Sequence, residues 1–517
     1  MKRQSLLTAA VAAACFVGSA HATNWFQLQG TEPSGIAAPF HLFGFIQPTY
    51  EDTGGTAVNG LGPLPNGKPN PFNGAVPKFN EVAPQDTSMS SFNMLRARIA
   101  VRGTVTPISN KIDYFIMAEF GNNGYTYGNG SYTPRLTDAS VTFNEIPGMR
   151  VRVGLFKTPG PEEVLQGIPD FDYINFTNVS AQLILNQFVT GLAYAPSTPT
   201  QGVGKGGFIV NSAPINAGRD QGIQLFDWFN NGPWQFAYAA MVGNGAPLYA
   251  NAQSNSASYY GRLQESYIFH HSKGPHQAGI TAWVWGHLGH QSLNVGTVAA
   301  DETEAAPDDP ADTNPGTNLV ATGGFTRQNY TFKRYGIGAQ YRSGFMTPGA
   351  LRVTGELMRG TGWILSPAAF SGAAAGYNGV PPTCGASPGA SPLCTETLYP
   401  GANNAAVGGY IETGFFVTKH WDLEARYDQY DRMTNNPGAE RIFKTTTLGV
   451  QYYISPMARI TLNYAFNRIN VPHLSSVTGP TTGPGTQAAR NAVAQNNASA
   501  IASARDNTIA LQTTLFF

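Results

Sequence analysis

Apolar and polar residues alternate with a period of two along most of this chain. In "MLRARIAVRG", residues 94–103, Leu95, Ala97, Ile99 and Val101 share one parity, while Arg96, Arg98 and Arg102 fall on the other. "KIDYFIMAEF" (111–120) sets Ile112, Tyr114, Ile116, Ala118 and Phe120 against Lys111, Asp113 and Glu119. "RVRVGL" (150–155), "WDLEARYDQY" (421–430) and "ARITLNYAFN" (458–467) repeat the pattern. Alternation at 180° per residue predicts strands with one apolar and one polar face.

Sixteen such segments are expected: 41–50, 91–105, 111–120, 134–143, 149–157, 219–228, 234–243, 258–269, 276–287, 328–342, 349–360, 406–417, 421–430, 442–454, 457–467 and 507–517. Their connections alternate in length. Short ones such as "PISN" (107–110), "NEIPG" (144–148) and "TKH" (418–420) sit between long ones such as 51–90, 158–218 and 361–405. In an up-and-down barrel, odd and even connections emerge at opposite ends, and outer-membrane barrels keep tight turns at one end and long loops at the other. A sandwich crosses over at both ends and mixes the lengths. The pattern therefore predicts an all-β, transmembrane, antiparallel up-and-down β-barrel of 16 strands. A further hairpin at 187–195 and 206–212 would make it 18.

Energetics assigns the faces. A midplane Arg against lipid costs roughly 2–4 kcal/mol. Slipping 94–103 by one residue would turn Arg96, Arg98 and Arg102 outward, so the basic parity must face a wet interior. The terminal stretch "NTIALQTTLFF" stops in mid-alternation. A last strand that pairs with the first explains that ending, because closure removes the sheet edges.

Composition agrees with this picture. Glycine (59) and proline (36) are abundant, and only 12% of residues are charged, against about 25% in ordinary soluble domains. The first residues carry Lys2 and Arg3, then "LLTAAVAAACFVGSA", then "AHA". A basic start, a short apolar run and an A-x-A site predict a secretory signal peptide over 1–22, cleaved near Ala22. We expect a periplasmic N-terminal segment at 23–40 and the outer-membrane barrel at 41–517. Losing Lys2 and Arg3 leaves 29 basic and 31 acidic residues, which points to no nucleic-acid partner. Cys384 and Cys394 share a Gly/Pro/Ser-rich loop, and an oxidising compartment predicts a disulfide between them.

Several stretches resemble the phosphate-selective porin O/P family. "MLRARIAVRGTV" resembles its early arginine-rich strand. "MRVRVGLFKTP" is similar to its R-V-G-x-F-K-x-P strand end, with Arg152, Gly154, Phe156, Lys157 and Pro159 in the matching positions. "GRDQGIQL" and "FFVTKHWDLEARYDQYD" resemble a strand start and a late hairpin of the family. The resemblance implies a sixteen-stranded homotrimer and a constriction loop after the fifth strand, here within 158–218. The family's phosphate-selective members line their pores with lysines. Lysines are few and scattered here, and the bases on the inner parity are mostly arginines, which sets the expected selectivity of this chain apart from theirs.

The inner parity assigns Arg96, Arg98, Arg102, Arg150, Arg152, Arg262, Arg334, Arg342, Arg352, Arg426 and Arg459 to the lumen. They are read either as an anion-attracting wall or as a wall stiffened by pairing with acids such as Asp113, Glu119, Glu356 and Glu424. In "GPEEVLQGIPDFDYINF" the loop offers Glu162, Glu163, Asp170 and Asp172. Facing a basic wall, these acids would set a transverse field across the constriction; facing outward, they would form an acidic surface loop. Around "AWVWGHLGH" the aliphatic parity is Ile280, Ala282, Val284 and Leu288, which would turn Trp283 and Trp285 inward. An interfacial girdle with a local bulge is the preferred expectation there.

Function follows from these expectations. The chain reads as an outer-membrane porin for passive diffusion of small hydrophilic solutes or ions, mildly anion-preferring. It is not read as an enzyme, and neither cofactor nor metal is expected. A barrel-based outer-membrane enzyme, or a binding barrel that sheathes a partner, is the alternative.

Overall fold

Each alternating segment forms a strand, and each strand hydrogen-bonds to its neighbours in sequence. The computed structural model describes residues 25, 39–56, 59–61, 73, 90–123, 134–185, 192–196, 208–211, 218–245, 256–270, 276–300, 319–321, 326–366, 395–399, 401–479, 485–503 and 505–517. The wall strands are β1 (His41–Thr56), β2 (Ser90–Thr104), β3 (Ile112–Glu119), β4 (Arg135–Ile146), β5 (Met149–Lys157), β6 (Arg219–Asn231), β7 (Trp234–Gly243) and β8 (Ala257–Ile268). They continue with β9 (Gly279–Ala300), β10 (Thr326–Arg342), β11 (Leu351–Gly362), β12 (Ala405–Phe416), β13 (Trp421–Arg432), β14 (Arg441–Ser455), β15 (Ala458–Asn470) and β16 (Arg505–Phe516). Successive strands pair antiparallel throughout.

The ring closes between its ends. β16 pairs with β1, placing Phe516 opposite Phe45 and Arg505 opposite Thr56. Hydrocarbon offers a backbone no hydrogen bonds, so an open edge there would cost several kcal/mol for each unpaired group. The last residue takes part: Gly44 and Phe517 exchange backbone hydrogen bonds of 2.9 and 3.0 Å. The Phe517 ring covers Gly44, where a Cβ would stand 2.6 Å from a ring carbon and 2.4 Å from the Arg98 carbonyl oxygen. Only glycine admits both neighbours.

The two parities separate as the sequence predicts. Ile99, Ile116, Leu263, Leu357, Ile411 and Leu448 are exposed, while Arg98, Arg152, Arg262, Glu356 and Asp428 are buried. Aromatic pairs fringe the apolar band. Trp234 meets Tyr267 and Trp421 meets Tyr452, each at 4.8 Å, at the short-turn end. Tyr50 and Phe92 (4.8 Å) lie toward the long-loop end. An apolar band between aromatic girdles is the outer face of a membrane-spanning barrel.

The wall has sixteen strands, because Lys157 of β5 pairs directly with Arg219 of β6. The segments 192–196 and 208–211 do form strands, but they stay outside the wall. The first runs parallel to Asn294–Val298, in the extension of β9, and the second pairs with 395–399. With five and four residues they fall short of the ~9–11 that a spanning strand requires. They belong to a small sheet on the long-loop rim.

The β5–β6 connection turns into the barrel. It carries a short helix α1 (Glu162–Leu165), a 3₁₀ turn (Ile168–Asp170) and a π-helical turn (Ser180–Leu185). A second helix, α2 (Gln487–Ser503), lies in the β15–β16 connection.

The face assignment is open to direct measurement. Leu357 is 67% exposed near the middle of β11. Leu357→Arg is expected to lower unfolding free energy in phospholipid vesicles by about 2–4 kcal/mol. A loss under about 0.5 kcal/mol, the range of an ordinary surface substitution, would show that this parity does not meet lipid.

Candidate functional site: the lumen and its inward loop

The inward loop is rich in large apolar residues, which a wet lumen alone would not hold. Val164, Leu165, Ile168, Phe171, Ile174, Phe176, Val179, Leu183, Ile184 and Leu185 are all buried. Most of them join one cluster with the wall residues Trp283, Trp285, Met358, Tyr410, Tyr430 and Phe443. Fully burying a side chain of this size contributes roughly 1.5–3 kcal/mol. The lumen thus has two unlike arcs. From β9 to β14 the wall presents mainly apolar and aromatic side chains to the loop, and around β16, β1 and β2 it presents mainly Gln512, Thr514, Gln47, Thr49 and arginines, with Leu95 and Ala510 under Ile174.

Polar contacts fix where the loop lies. Glu162 pairs with Arg262 of β8, and Glu163 with Arg426 of β13 at 3.3 Å. Asp170 meets His276 in the β8–β9 turn at 3.2 Å, and Asp172 meets Arg352 of β11 at 3.0 Å. Arg352 also reaches Asp422 (2.7 Å) and Glu424 (2.9 Å). Backbone groups add further ties. Arg96 donates to the Ile174 carbonyl at 3.3 Å, Arg459 donates to that of Phe171, and Arg334 donates to that of Leu183 at 3.4 Å. The amides of Ile174 and Asn178 donate to Asn463 and Asp428, each at 2.9 Å. Arg426 also lies 4.2 Å over the Tyr173 ring. The expected transverse field is corrected here. All four loop acids do turn inward, but Glu162, Glu163 and Asp172 each lie at contact distance from a wall arginine, and Asp170 hydrogen-bonds to the His276 ring.

A buried carboxylate joins wall and loop. Glu356 Oε1 accepts from the indole N–H groups of Trp283 (2.8 Å) and Trp285 (2.7 Å). Its Oε2 accepts from the Tyr410 hydroxyl (3.0 Å) and from the first N–H of α1, on Glu162 (3.1 Å). Both tryptophans therefore point inward, with 2% and 5% exposure, and the girdle expectation fails for them. The reason lies on the facing strand. Trp283 and Trp285 stand opposite Gly338 and Gly336 of β10. A Cβ on either glycine would come within 2.5 or 2.7 Å of an indole, so the rings lie flat against the wall. The paired glycines were a signal in the sequence, but they gain meaning only once the register is known.

The remaining predicted arginines are also on the inner face. Arg98 pairs with Glu119 at 2.6 Å, and Arg150 pairs with Asp227 at 3.4 Å and stacks 3.9 Å over Trp228. Arg152 donates to Thr142 and Gln224 and lies 4.4 Å over Phe226. Arg96 donates to Gln47 at 3.0 Å, and Arg102 lies 5.2 Å over Phe43. Arg219, which sequence reasoning did not single out, pairs with Asp138 at 3.0 Å. Trp25 was expected in a periplasmic segment, yet it is buried against Leu165 and donates to Glu162 at 2.5 Å. Its indole finds there both an apolar seat and a carboxylate acceptor. Cys384, Cys394 and residues 1–22 lie outside the described residues.

No protein-family model and no curated protein matches the sequence. Among solved structures, the chain is similar to an anion-selective porin from Comamonas acidovorans (12% identity, TM-score 0.45, 92% of this chain and 99% of that one). It is also similar to the outer-membrane channel DcaP of Acinetobacter baumannii (11%, TM-score 0.43, 94% and 99%) and to OmpT of Vibrio cholerae (9%, TM-score 0.43, 92% and 97%). Likeness at this level carries neither a residue role nor an activity across.

Two outcomes follow from the geometry. Glu356→Ala leaves two indole N–H groups and a hydroxyl in a buried site without their acceptor, an expected loss of about 2–5 kcal/mol in denaturant unfolding. A loss below about 0.5 kcal/mol would mean that the site rearranges freely. The second outcome concerns pH. Burial, partly opposed by Asp170, lowers the His276 pKa. The neutral ring suits its partners, because Nε2–H faces Asp170 and Nδ1 accepts from Arg342 at 3.2 Å. The unfolded chain therefore takes up this proton first, so the His276 contribution is present above about pH 6.5 and is lost as pH falls below it. Asp172 acts in the same direction at lower pH. Burial raises its pKa, but Arg352, Arg342 and Arg459 more than offset this and hold it below the ordinary value. Thermal stability of the native protein is expected to fall more between pH 7.5 and 5.5 than that of His276→Gln. Parallel profiles would exclude His276 as the titrating group.

Proposed function

We propose that the chain is a bacterial outer-membrane porin that passes small hydrophilic solutes or ions by diffusion, with a mild preference for anions. One observation carries this reading: a closed ring of sixteen strands wears hydrocarbon-compatible side chains outside and charged, hydrogen-bonded ones inside. Barrels of this strand number are too wide for wall side chains alone to fill, and they hold an aqueous channel. The inward loop packs mostly against the β9–β14 arc and places Ile174 on Leu95 of β2 and Ala510 of β16; the rest of the polar arc is the proposed path. Along β2, β5 and β6 the inner face of the wall carries Arg96, Arg98, Arg102, Arg150, Arg152 and Arg219, with Glu119, Asp138 and Asp227 among them. A cationic excess of this kind favours anions in a narrow pore. The proposed assembly is a homotrimer, placed in the outer membrane after export.

Planar-bilayer recording tests the reading. Purified protein is expected to give discrete open-channel steps, and a membrane that stays silent would refute a diffusion channel. Under a salt gradient, the double variant Arg96→Glu/Arg98→Glu is expected to move the reversal potential toward cation preference. An unchanged potential would remove these two residues from the selectivity filter.

A further inference from the structure

Charges on the wall strands mostly turn inward, but Lys333 of β10 and Arg359 of β11 are exposed on the outward parity. Lys333 stands opposite Thr361, and Arg359 stands opposite Tyr335. The two bases are therefore diagonal neighbours across one strand pair, roughly 7–8 Å apart. Among the described residues, neither side chain has a hydrogen-bond or ion-pair partner. The next outward acid along the row of Arg359 is Asp431, beyond Val407 and two strands away, roughly 10 Å. It is engaged with Glu440.

The pair stands at the long-loop edge of the apolar band. Tyr335, Ile337 and Leu357 are the exposed outward residues that precede it on the same two strands. A bilayer places its headgroups at that edge. The row of Arg359 and Tyr335 continues as Gly286 of β9, Gly261 of β8 and Ala240 of β7. Tyr259, Leu263, Val284 and Leu288 flank this row and are exposed. A Cβ built on Gly286 meets no atom within 4 Å. A shallow furrow thus leads from the basic pair across the apolar face.

We propose that this surface binds a phosphorylated lipid of the outer leaflet. Lys333 and Arg359 hold its phosphate, and the furrow receives part of an acyl chain. A base that only snorkels to water needs no anion. Two unpaired bases side by side repel each other, and one phosphate between them relieves that repulsion. The groove beside them suits an anion that carries an apolar tail. The inference goes beyond the channel reading and does not depend on it, because it requires only a barrel in a bilayer.

The test titrates purified protein in neutral detergent with diphosphoryl lipid A and counts bound lipid by native mass spectrometry. Each variant is first checked for a folded barrel by its heat-modifiable gel mobility. A base at a lipid surface contributes about a factor of five, so Lys333→Gln/Arg359→Gln is expected to bind this lipid roughly 25-fold more weakly than native protein. Lipid A stripped of its phosphates should bind both proteins equally weakly. Inorganic phosphate at the same concentration should not displace the lipid. Gly286→Leu keeps both bases and fills the furrow, and should weaken binding several-fold. Equal affinity of native protein and the double variant for diphosphoryl lipid A would overturn the site, as would native binding that ignores the phosphates. Displacement by inorganic phosphate would overturn the assignment to a lipid. Undiminished binding by Gly286→Leu would overturn the furrow as the acyl seat.

Discussion

A strand that crosses a bilayer can turn only one face to hydrocarbon, and every charge it carries must go to the other. That constraint orders the whole molecule. Arg96, Arg98 and Arg102 lie on one parity of β2, and Ile99 and Val101 lie on the other. Once the register of one such strand is fixed, its neighbours follow, because a one-residue slip would exchange every side chain between lipid and lumen. Closure between β1 and β16 is the second half of the same constraint, since backbone groups in hydrocarbon have no other partners. The close fit of Gly44 under Phe517 lets the last residue take part in that closure.

Charges driven inward create the next problem, and the loop answers it. A guanidinium in a confined lumen needs an anion, a carbonyl or an aromatic face to be stable. Glu162, Glu163 and Asp172 serve Arg262, Arg426 and Arg352, and loop carbonyls serve Arg96, Arg334 and Arg459. The loop therefore needs no regular structure of its own length. Its short helical turns hold the chain between anchors that the wall supplies, and most of its apolar residues pack on the β9–β14 arc. Arginine suits this role better than lysine, because its planar fork satisfies two or three acceptors at once, as Arg352 does with Asp172, Asp422 and Glu424.

The strands were legible in the sequence because each needs only local information, a parity and two turn signals. The alternation of Leu95, Ala97, Ile99 and Val101 was enough to orient β2. The inward path of the loop was legible only through the family resemblance. Its anchors were not legible at all: Asn178 with Asp428, or Asp172 with Arg352, are contacts between residues far apart in the chain. Trp283 and Trp285 failed for a related reason. Their parity pointed inward, but their chemistry suited an interface. The deciding partners, Glu356 and the glycines of β10, lie on other strands. Trp25 gave no periodic signal because it belongs to no strand.

The central claim is that the segment from Glu162 to Leu185 is locked inside the lumen on polar contacts with the wall. Hydrogen–deuterium exchange of the native protein in lipid reads this most directly. The amides of Gln166, Ile174, Thr177 and Asn178 donate to Glu162, Asn463, Glu163 and Asp428, and lie among buried residues. They should exchange as slowly as amides of the neighbouring wall strands. Exchange at the rate of an exposed loop would show that the segment is not seated there, and the account of the lumen would fail with it.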